Sequence, residues 1–415
     1  MTYELSAPQR LEGTIKLPSS KSVSNRALVI HALADKEILP DNLSDCDDTE
    51  VIVSALRHMP YEIDIKAAGT AMRFMTAYLS VTEGEHVLTG TNRMRHRPIR
   101  ILVEALRSLG ADIRYEGEEG FPPLHILGKE LTGGALEIAG DVSSQYISAL
   151  LMIGPILKKG LTLRLTGELI SLPYIEMTLK MMRAFGAEAG WENNHTISVA
   201  HKRYTARNYH VESDWSAASY WYEMMALHAS PHATLSLTGL SEDSLQGDAV
   251  VKDIFGRLGV KTVFTSGTKG TTPIATISHC PRVTERLDYD FSRCPDLAQT
   301  CVVCCCVLGV PFTLTGLRTL KIKETDRIEA LKEEVRKLGY VIHDIHGDTL
   351  IWEGETCAPN QEPIETYEDH RMAMAFAPVA FRHRSLRISH PEVVSKSYPR
   401  FWDDLRQVGF DITII

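Results

Sequence analysis

The chain has 415 residues, 44% of them hydrophobic and 23% charged, the composition of a folded globular protein, which excludes disorder as its main character. Its net charge of −9 argues against a general nucleic-acid binder but leaves room for anionic small molecules held by local basic clusters. MTYELSAPQR at the start lacks a signal-peptide pattern, and the longest apolar run, Cys301 to Phe312, is too short to span a bilayer, so a cytoplasmic protein is expected.

In chain order, LPSSKSVSNRALVIHALA reads as a loop through Pro18, Ser19 and Ser20, then a helix starting within Ser22 to Asn25. Lys21 and Arg26 sit near that helix N-terminus, where a charge and a planar fork add to an end that already favours anions. The same pattern also serves a plainly capped helix with solvated basic residues. KAAGTAMRFM places Gly69-Thr70 before an apolar helix, a backbone arrangement open to an anion or to a simple turn. TNRMRHRPIR is the densest positive charge in the chain, with Arg93, Arg95, Arg97 and Arg100 around a helix expected to begin near Pro98. Without interleaved aromatics it suits a phosphate or carboxylate better than a nucleic acid.

DVSSQYISALL puts Ser143, Ser144 and Gln145 at another helix start, suited equally to a phosphate or to capping. Asp296 precedes a helix containing CVVCCC, which carries four of the eight cysteines and reads as buried packing, not as a metal site. KIKETDRIEALKEEVRKLG is amphipathic, and Lys323, Glu324 and Arg327 at its beginning are spaced to share a helical face. Cations there oppose the helix dipole, a local conflict of the kind that marks sites. EDHRMAMAFA offers His370 and Arg371 before a small-residue helix, and SKSYPRFW offers Lys396.

A longer rhythm runs through these segments. ILVEALRSLGADI, IEMTLKMMRAFGAEA, VVKDIFGRLGVKT, IEALKEEVRKLGYVI and RFWDDLRQVGFDI each pair an amphipathic helix with a closing glycine, at Gly110, Gly186, Gly259, Gly339 and Gly409. A degraded copy, TEVIVSALRHMPYEI, has Met59-Pro60 in place of the glycine. Six units of about 69 residues would fill the chain, a period that suits a βαβ-type unit with extra strands. The first unit is short by about 25 residues, roughly a strand pair.

Together PSSKSVSNRAL, AGTAMR, RMRHRPI, SSQYISALL, SLPYIEMTL, KIKETDRI and EDHRMAMAFA resemble the 5-enolpyruvylshikimate-3-phosphate synthases, enolpyruvyl transferases of the shikimate pathway. The resemblance implies an α/β fold of two inside-out barrels with three βαβαββ units each. One domain would be 20–212, on the shikimate 3-phosphate side. The other would be 1–19 plus 213–415, completing the phosphoenolpyruvate site. It implies transfer of the enolpyruvyl group of phosphoenolpyruvate to the 5-hydroxyl of shikimate 3-phosphate, with no metal or organic cofactor. The expected partners are these two substrates, without nucleic acid or membrane, and the expected state is a monomer.

By the same resemblance Lys21, Ser143, Ser144 and Gln145 lie at the shikimate phosphate, Ser22 and Arg26 hold its carboxylate, and Ser171 and Tyr174 border the ring. Asp296 and Lys323 contact the reacting hydroxyl. Phosphoenolpyruvate would meet Lys21, Gly69, Arg97 and Gln145 through its phosphate, and Arg327, Arg371 and Lys396 through its carboxylate. Asp296 is the natural base; Glu324 is the candidate acid for the methylene carbon, with Lys21 and Lys323 as competitors. The sequence departs from the family pattern at Ala67, Phe74 and Thr319, where the family has Asn, Pro and Asn. Those departures keep open a non-catalytic relative that binds phosphorylated ligands. The sister UDP-N-acetylglucosamine enolpyruvyl transferases carry a reactive cysteine in the loop matching TNRMRHRPI, and none stands here.

Overall fold

The computed structural model describes residues 1–34, 39–169, 172–228, 230–265, 272–360 and 362–415. They form two compact units, Met1–Pro18 with Glu212–Ile415, and Ser19–Val211.

The sequence repeat is a strand, helix, strand, helix and hairpin. Strands Gly134–Ala139 and Leu161–Thr166 run parallel, joined by helix Ser144–Ile153. Helix Leu172–Ala184 then leads into the hairpin Ala189–Asn193 and Thr196–Val199, whose second strand pairs antiparallel with Leu161–Thr166. The same strand order recurs in Glu62–Gly128, in Leu287–Trp352, and in the sheet formed by Glu12–Lys16 with the strands between Thr234 and His279. The last repeat closes with the N-terminal strand Thr2–Ser6, antiparallel between Leu386–Ser389 and Asp411–Ile414. The fold is thus the two-domain α/β architecture expected, built of inside-out barrels.

The closing glycines explain the rhythm. Gly110, Gly186, Gly259, Gly339 and Gly409 all turn the chain with φ between 85° and 104°, a region that residues with a Cβ enter at a cost. In the degraded copy Met59 takes that position with φ 41°. The first repeat is short for a visible reason: Met59, Pro60 and Tyr61 alone separate helix Asp47–His58 from Glu62–Asp64, the first strand of the next repeat. No hairpin intervenes there.

Why the barrels are inside out follows from two kinds of helix. In each repeat the first helix is apolar on nearly all sides and must be buried; the second is amphipathic. Trp215–Leu227, Ala298–Leu308 and His370–Phe376 pack against one another in one unit, as do Lys21–Leu33, Gly69–Val81 and Ser144–Ile153 in the other. The sheets cover them with one face each. Along Leu161–Thr166, for example, Leu161, Leu163 and Leu165 are buried while Thr162 and Arg164 face solvent. Cys301, Cys304, Cys305 and Cys306 are at most 1% exposed, and burial pushes their thiols up in pKa, so the cysteine run is helix packing. No helix among the described residues is long and apolar enough to cross a membrane.

A carboxyl group interrupts this core. Glu223, on the inner helix Trp215–Leu227, is fully buried beside the cysteine helix, and among the described residues neither carboxylate oxygen has a hydrogen-bond partner. Burial raises its pKa well above the ordinary 4.5, so the folded state binds its proton more tightly than the unfolded chain does. That preference costs stability progressively as pH rises above 4.5, where the unfolded chain releases the proton first. Glu223→Gln should therefore gain stability over the parent as pH climbs from 4.5 to 8 in urea unfolding. Parallel curves for the two proteins would refute the assignment.

Candidate active site

Several candidate residues stand at the N-termini of the inner helices, where unsatisfied backbone N–H groups and the helix dipole favour anions. Lys21, Gly69 and Ser144 are the first residues of the three inner helices of unit Ser19–Val211. In the other unit Asp214 caps Trp215–Leu227, Asp296 lies in the short turn before Ala298–Leu308, and Asp369 caps His370–Phe376.

In unit Ser19–Val211 the residues gather in two sets. Arg26 is buried between the rings of Phe74 and Tyr174, 5.4 and 5.8 Å from their centroids. Its guanidinium donates to Thr178 Oγ1 at 2.7 Å, Ser148 Oγ at 3.1 Å and the Ser22 carbonyl at 2.9 Å. Burial lowers its pKa to about 10, so it remains a cation at neutral pH. Ser22 and Tyr174 are thus held beside Arg26; Ser171 lies outside the described residues.

The second set surrounds the Gly69-Thr70 turn. Gln145 Nε2 donates to Thr70 Oγ1 at 3.1 Å, and Ser143 accepts from the Gln145 N–H, fixing the start of its helix. A Cβ at Gly69 would stand 2.6 Å from Arg97 Nη1, so the missing side chain is what lets this guanidinium approach the turn. Lys21 pairs with Asp48 at 3.5 Å. Of the other arginines in the basic loop, Arg95 donates to the Gly90 carbonyl and Arg100 to that of Glu119.

In unit Met1–Pro18 with Glu212–Ile415 the centre is Arg327, 1% exposed. Its Nε and Nη2 donate to Asp369 at 2.6 and 3.3 Å, Nη1 to Asp296 at 2.9 Å and Nη2 to Glu324 at 2.8 Å. Burial alone would weaken its hold on the proton, but Asp369, Glu324 and Asp296 outweigh burial and raise its pKa. Asp296 also meets Arg371 Nη2 at 3.1 Å and Lys323 Nζ at 3.6 Å. Lys396 donates to the Glu368 carbonyl at 2.8 Å, next to the turn that carries Asp369 and Arg371.

Several local expectations need correction. Helix Arg327–Lys337 begins at Arg327, capped by Asp326, so Lys323 and Glu324 lie in the preceding turn and not on a shared helical face. The turn, through tertiary contacts, brings them to Asp296 and Arg327. The helix expected near Pro98 starts at Arg100, after a short helix Asn92–Arg95. The first helix starts at Lys21, before Ser22, and the Ser20 side chain makes no cap.

The structure also adds residues. Arg73 is buried and donates to the carbonyls of Gly69 at 3.0 Å and Pro98 at 3.3 Å, tying the Gly69 turn to the loop that carries Arg97. Burial, and then the neighbouring Arg97, lower its pKa. Asp369 grips Arg327 and accepts the Arg371 N–H at 2.9 Å. Both stand inside motifs already singled out, AGTAMR and EDHR, and a buried charge in such a motif was the available signal. Ser148 and Thr178 also stand inside quoted motifs, SSQYISALL and SLPYIEMTL, but as neutral side chains within helices they carried no sign of a polar role.

A family model described as EPSP synthase (3-phosphoshikimate 1-carboxyvinyltransferase) matches residues 5–64 and 59–405. The chain belongs to the EPSP synthase family. The two matched segments meet at 59–64, where the first repeat lacks its hairpin. The chain is 57% identical to the 3-phosphoshikimate 1-carboxyvinyltransferase of Bacteroides fragilis over 100% of this chain and 99% of that protein. It is 37% identical to that of Cellvibrio japonicus, covering 98% and 99%. A solved EPSP synthase from Acinetobacter baumannii superposes with a TM-score of 0.80 at 22% identity, covering 100% of both chains, and shares the fold.

Gly69→Ala should displace the Arg97 guanidinium, because the new Cβ would overlap it at 2.6 Å. We expect the KM for phosphoenolpyruvate to rise about tenfold, a loss of roughly 1.4 kcal/mol, with the KM for shikimate 3-phosphate little changed. Steady-state kinetics with each substrate varied in turn checks this, and an equal rise in both constants would contradict it.

Proposed function

We propose how these residues divide the work of the reaction this chain catalyses: transfer of the enolpyruvyl group of phosphoenolpyruvate to shikimate 3-phosphate, with release of phosphate, in the shikimate pathway to aromatic amino acids. Ser143, Ser144 and Lys21 bind the shikimate phosphate with Gln145 beside them, Ser22 and Arg26 bind its carboxylate, and Tyr174 borders the ring with Ser171. The phosphate of phosphoenolpyruvate goes to Lys21, the Gly69 N–H, Arg97 and Gln145. Its carboxylate goes to Arg327, Arg371 and Lys396, two planar forks and a point charge. The chain acts as a cytoplasmic monomer with these two substrates as its partners.

Asp296 carries the reading. Three cations, Arg327, Arg371 and Lys323, neutralise it, which makes it a stable anion and a weak base. Arg327 has five N–H groups and commits four of them to carboxylates. A two-pronged grip on the substrate carboxylate therefore draws Arg327 away from Asp296 or Glu324. With Arg371 drawn to the same substrate group, both acids lose positive charge and gain proton affinity when the chemistry needs it.

Asp296 then takes the proton of the 5-hydroxyl as its oxygen adds to the enol carbon, with Lys323 beside the developing oxyanion. Protonated Glu324 gives its proton to the methylene carbon, completing a tetrahedral intermediate, with Lys21 and Lys323 as the competing donors. The Glu324 carboxylate then takes back a methyl proton and Asp296 returns its proton to the departing phosphate oxygen, so that cleavage of the carbon–oxygen bond regenerates the double bond and releases phosphate.

Two results test this. Phosphate release should require both substrates and yield a product heavier than shikimate 3-phosphate by the enolpyruvyl group, as read by mass. Asp296→Asn should lower kcat by about 10² to 10⁴ with both ligands still bound, the range for loss of a general base. Near-normal turnover would remove Asp296 from that role. Separately, Arg327→Lys keeps the charge but loses the fork, and should raise the KM for phosphoenolpyruvate by about 10- to 100-fold while leaving that for shikimate 3-phosphate within about twofold. Equal effects on both constants would contradict the carboxylate assignment.

A further inference from the structure

Asp248 lies far in sequence from the residues discussed so far, in the short helix Gly247–Val250 after SLQ. It is buried and accepts a close hydrogen bond from Ser216 Oγ, in the first turn of the inner helix Trp215–Leu227. Ser216 Oγ in turn accepts from Arg371 Nη2 at 3.4 Å, and the same Nη2 lies 3.1 Å from Asp296 Oδ2. A chain of four side chains thus runs from Asp248 through Ser216 and Arg371 to Asp296. A second contact, Arg371 Nη1 to Tyr220 Oη at 3.3 Å, holds the guanidinium on the same helix.

We propose that Asp248 is a positioning residue for the enolpyruvyl transfer: by accepting the Ser216 proton, it leaves the Ser216 lone pairs to Arg371 and so holds that guanidinium where Asp296 and the substrate carboxylate compete for it. The inference rests on the roles proposed above for Asp296 and Arg371. A serine hydroxyl has one proton, so its direction decides what remains for Arg371. Ionised Asp248 takes that proton. Protonated Asp248 donates to Ser216 Oγ instead, occupies one of its lone pairs and frees the serine proton to point elsewhere, which loosens the hold on Arg371.

The switch falls in an accessible range. Burial, and then the nearby Asp296, raise the Asp248 pKa to about 7, against the lowering effects of Arg371 and Ser216. The groups facing it are Asp296 from the turn before the cysteine helix, Arg371 from His370–Phe376, Asp214 at the cap of Trp215–Leu227, and the Cys294 and Cys301 thiols. Lys252, on the helix that follows, donates instead to the Glu242 carbonyl. Ionised Asp248 also adds negative charge near Asp296 and so helps that acid accept a proton.

The test is the pH dependence of kcat and of both KM values from about pH 5.5 to 9 for the parent, Asp248→Asn, Ser216→Ala and the double variant, with thermal unfolding of each. The parent should lose activity on the acid side of neutrality, as Asp248 takes up a proton. Asp248→Asn and Ser216→Ala should each lower kcat by about tenfold at pH 8, with the acid-side inflection near neutrality removed and the KM for phosphoenolpyruvate changed more than that for shikimate 3-phosphate. The double variant should be little worse than either single one, because both cut the same chain. An unchanged acid limb in Asp248→Asn, or a loss uniform in pH that tracks a fall in melting temperature, would overturn the proposal. Asp296→Asn, run alongside, separates the two readings: if it keeps near-normal turnover, the role of Asp296 fails whatever Asp248 does.

Discussion

Burying a guanidinium to 1% exposure is costly unless anions offset the lost water, and Arg327 has three around it. Asp369 grips it from the cap of one inner helix, Asp296 from the turn before another, and Glu324 from its own approach. Asp296 in turn meets two further cations, Arg371 and Lys323. The arrangement costs desolvation and is repaid only by near-complete pairing, so each member fixes the positions of the rest. In the mechanism proposed above it is also poised: the substrate would bring a carboxylate to arginines that already hold carboxylates, and any exchange would change the proton affinity of the acids left behind. On that proposal, binding and activation are one event.

Such a cluster needs a frame that brings several helix starts together, and the repeat provides it. Each repeat contributes one apolar helix to the inside of its unit, and three such helices pack on one another with sheets outside. Contacts between helix starts follow: Gln145 reaches Thr70 in one unit, and Arg371 reaches Ser216 and Asp296 in the other. The first repeat shows which part of the unit is dispensable. It lost a hairpin, an outer element, yet kept its inner helix Lys21–Leu33 and the residues at the start of that helix. The Ala67, Phe74 and Thr319 departures have a partial account: Phe74 lies under the Arg26 guanidinium, a contact a proline ring would not make, whereas nothing in the structure explains Ala67 or Thr319.

Much of this was legible in the sequence because it is local. Closing glycines mark helix ends by a backbone requirement, so Gly110 through Gly409 announced the repeat and Met59 its degraded copy. Basic residues at loop-to-helix junctions announced Lys21, Arg97, Arg327 and Arg371. What could not be read was tertiary. Lys323 and Glu324 reach Arg327 and Asp296 through a turn, where helical spacing had suggested a shared face. Asp248 sits 48 residues before Asp296 and 123 before Arg371, and no local pattern links them. Local pattern left Arg26 open to an anion site or a solvated face of a capped helix; the structure encloses it with Phe74, Tyr174, Ser148 and Thr178, which three different helices bring together.

The central claim is that the substrate carboxylate draws Arg327 and Arg371 away from Asp296 and Glu324, so that Glu324 takes up the proton it later gives while Asp296 stays ionised as a stronger base. Calorimetric titration of phosphoenolpyruvate into the enzyme tests it most directly. The enzyme would be held with a shikimate 3-phosphate analogue that lacks the 5-hydroxyl and so cannot react. Repeating the titration in buffers of different ionisation enthalpy gives the number of protons taken up on binding. The account predicts proton uptake by the parent and less uptake by Glu324→Gln. Identical proton counts for the two proteins would contradict it.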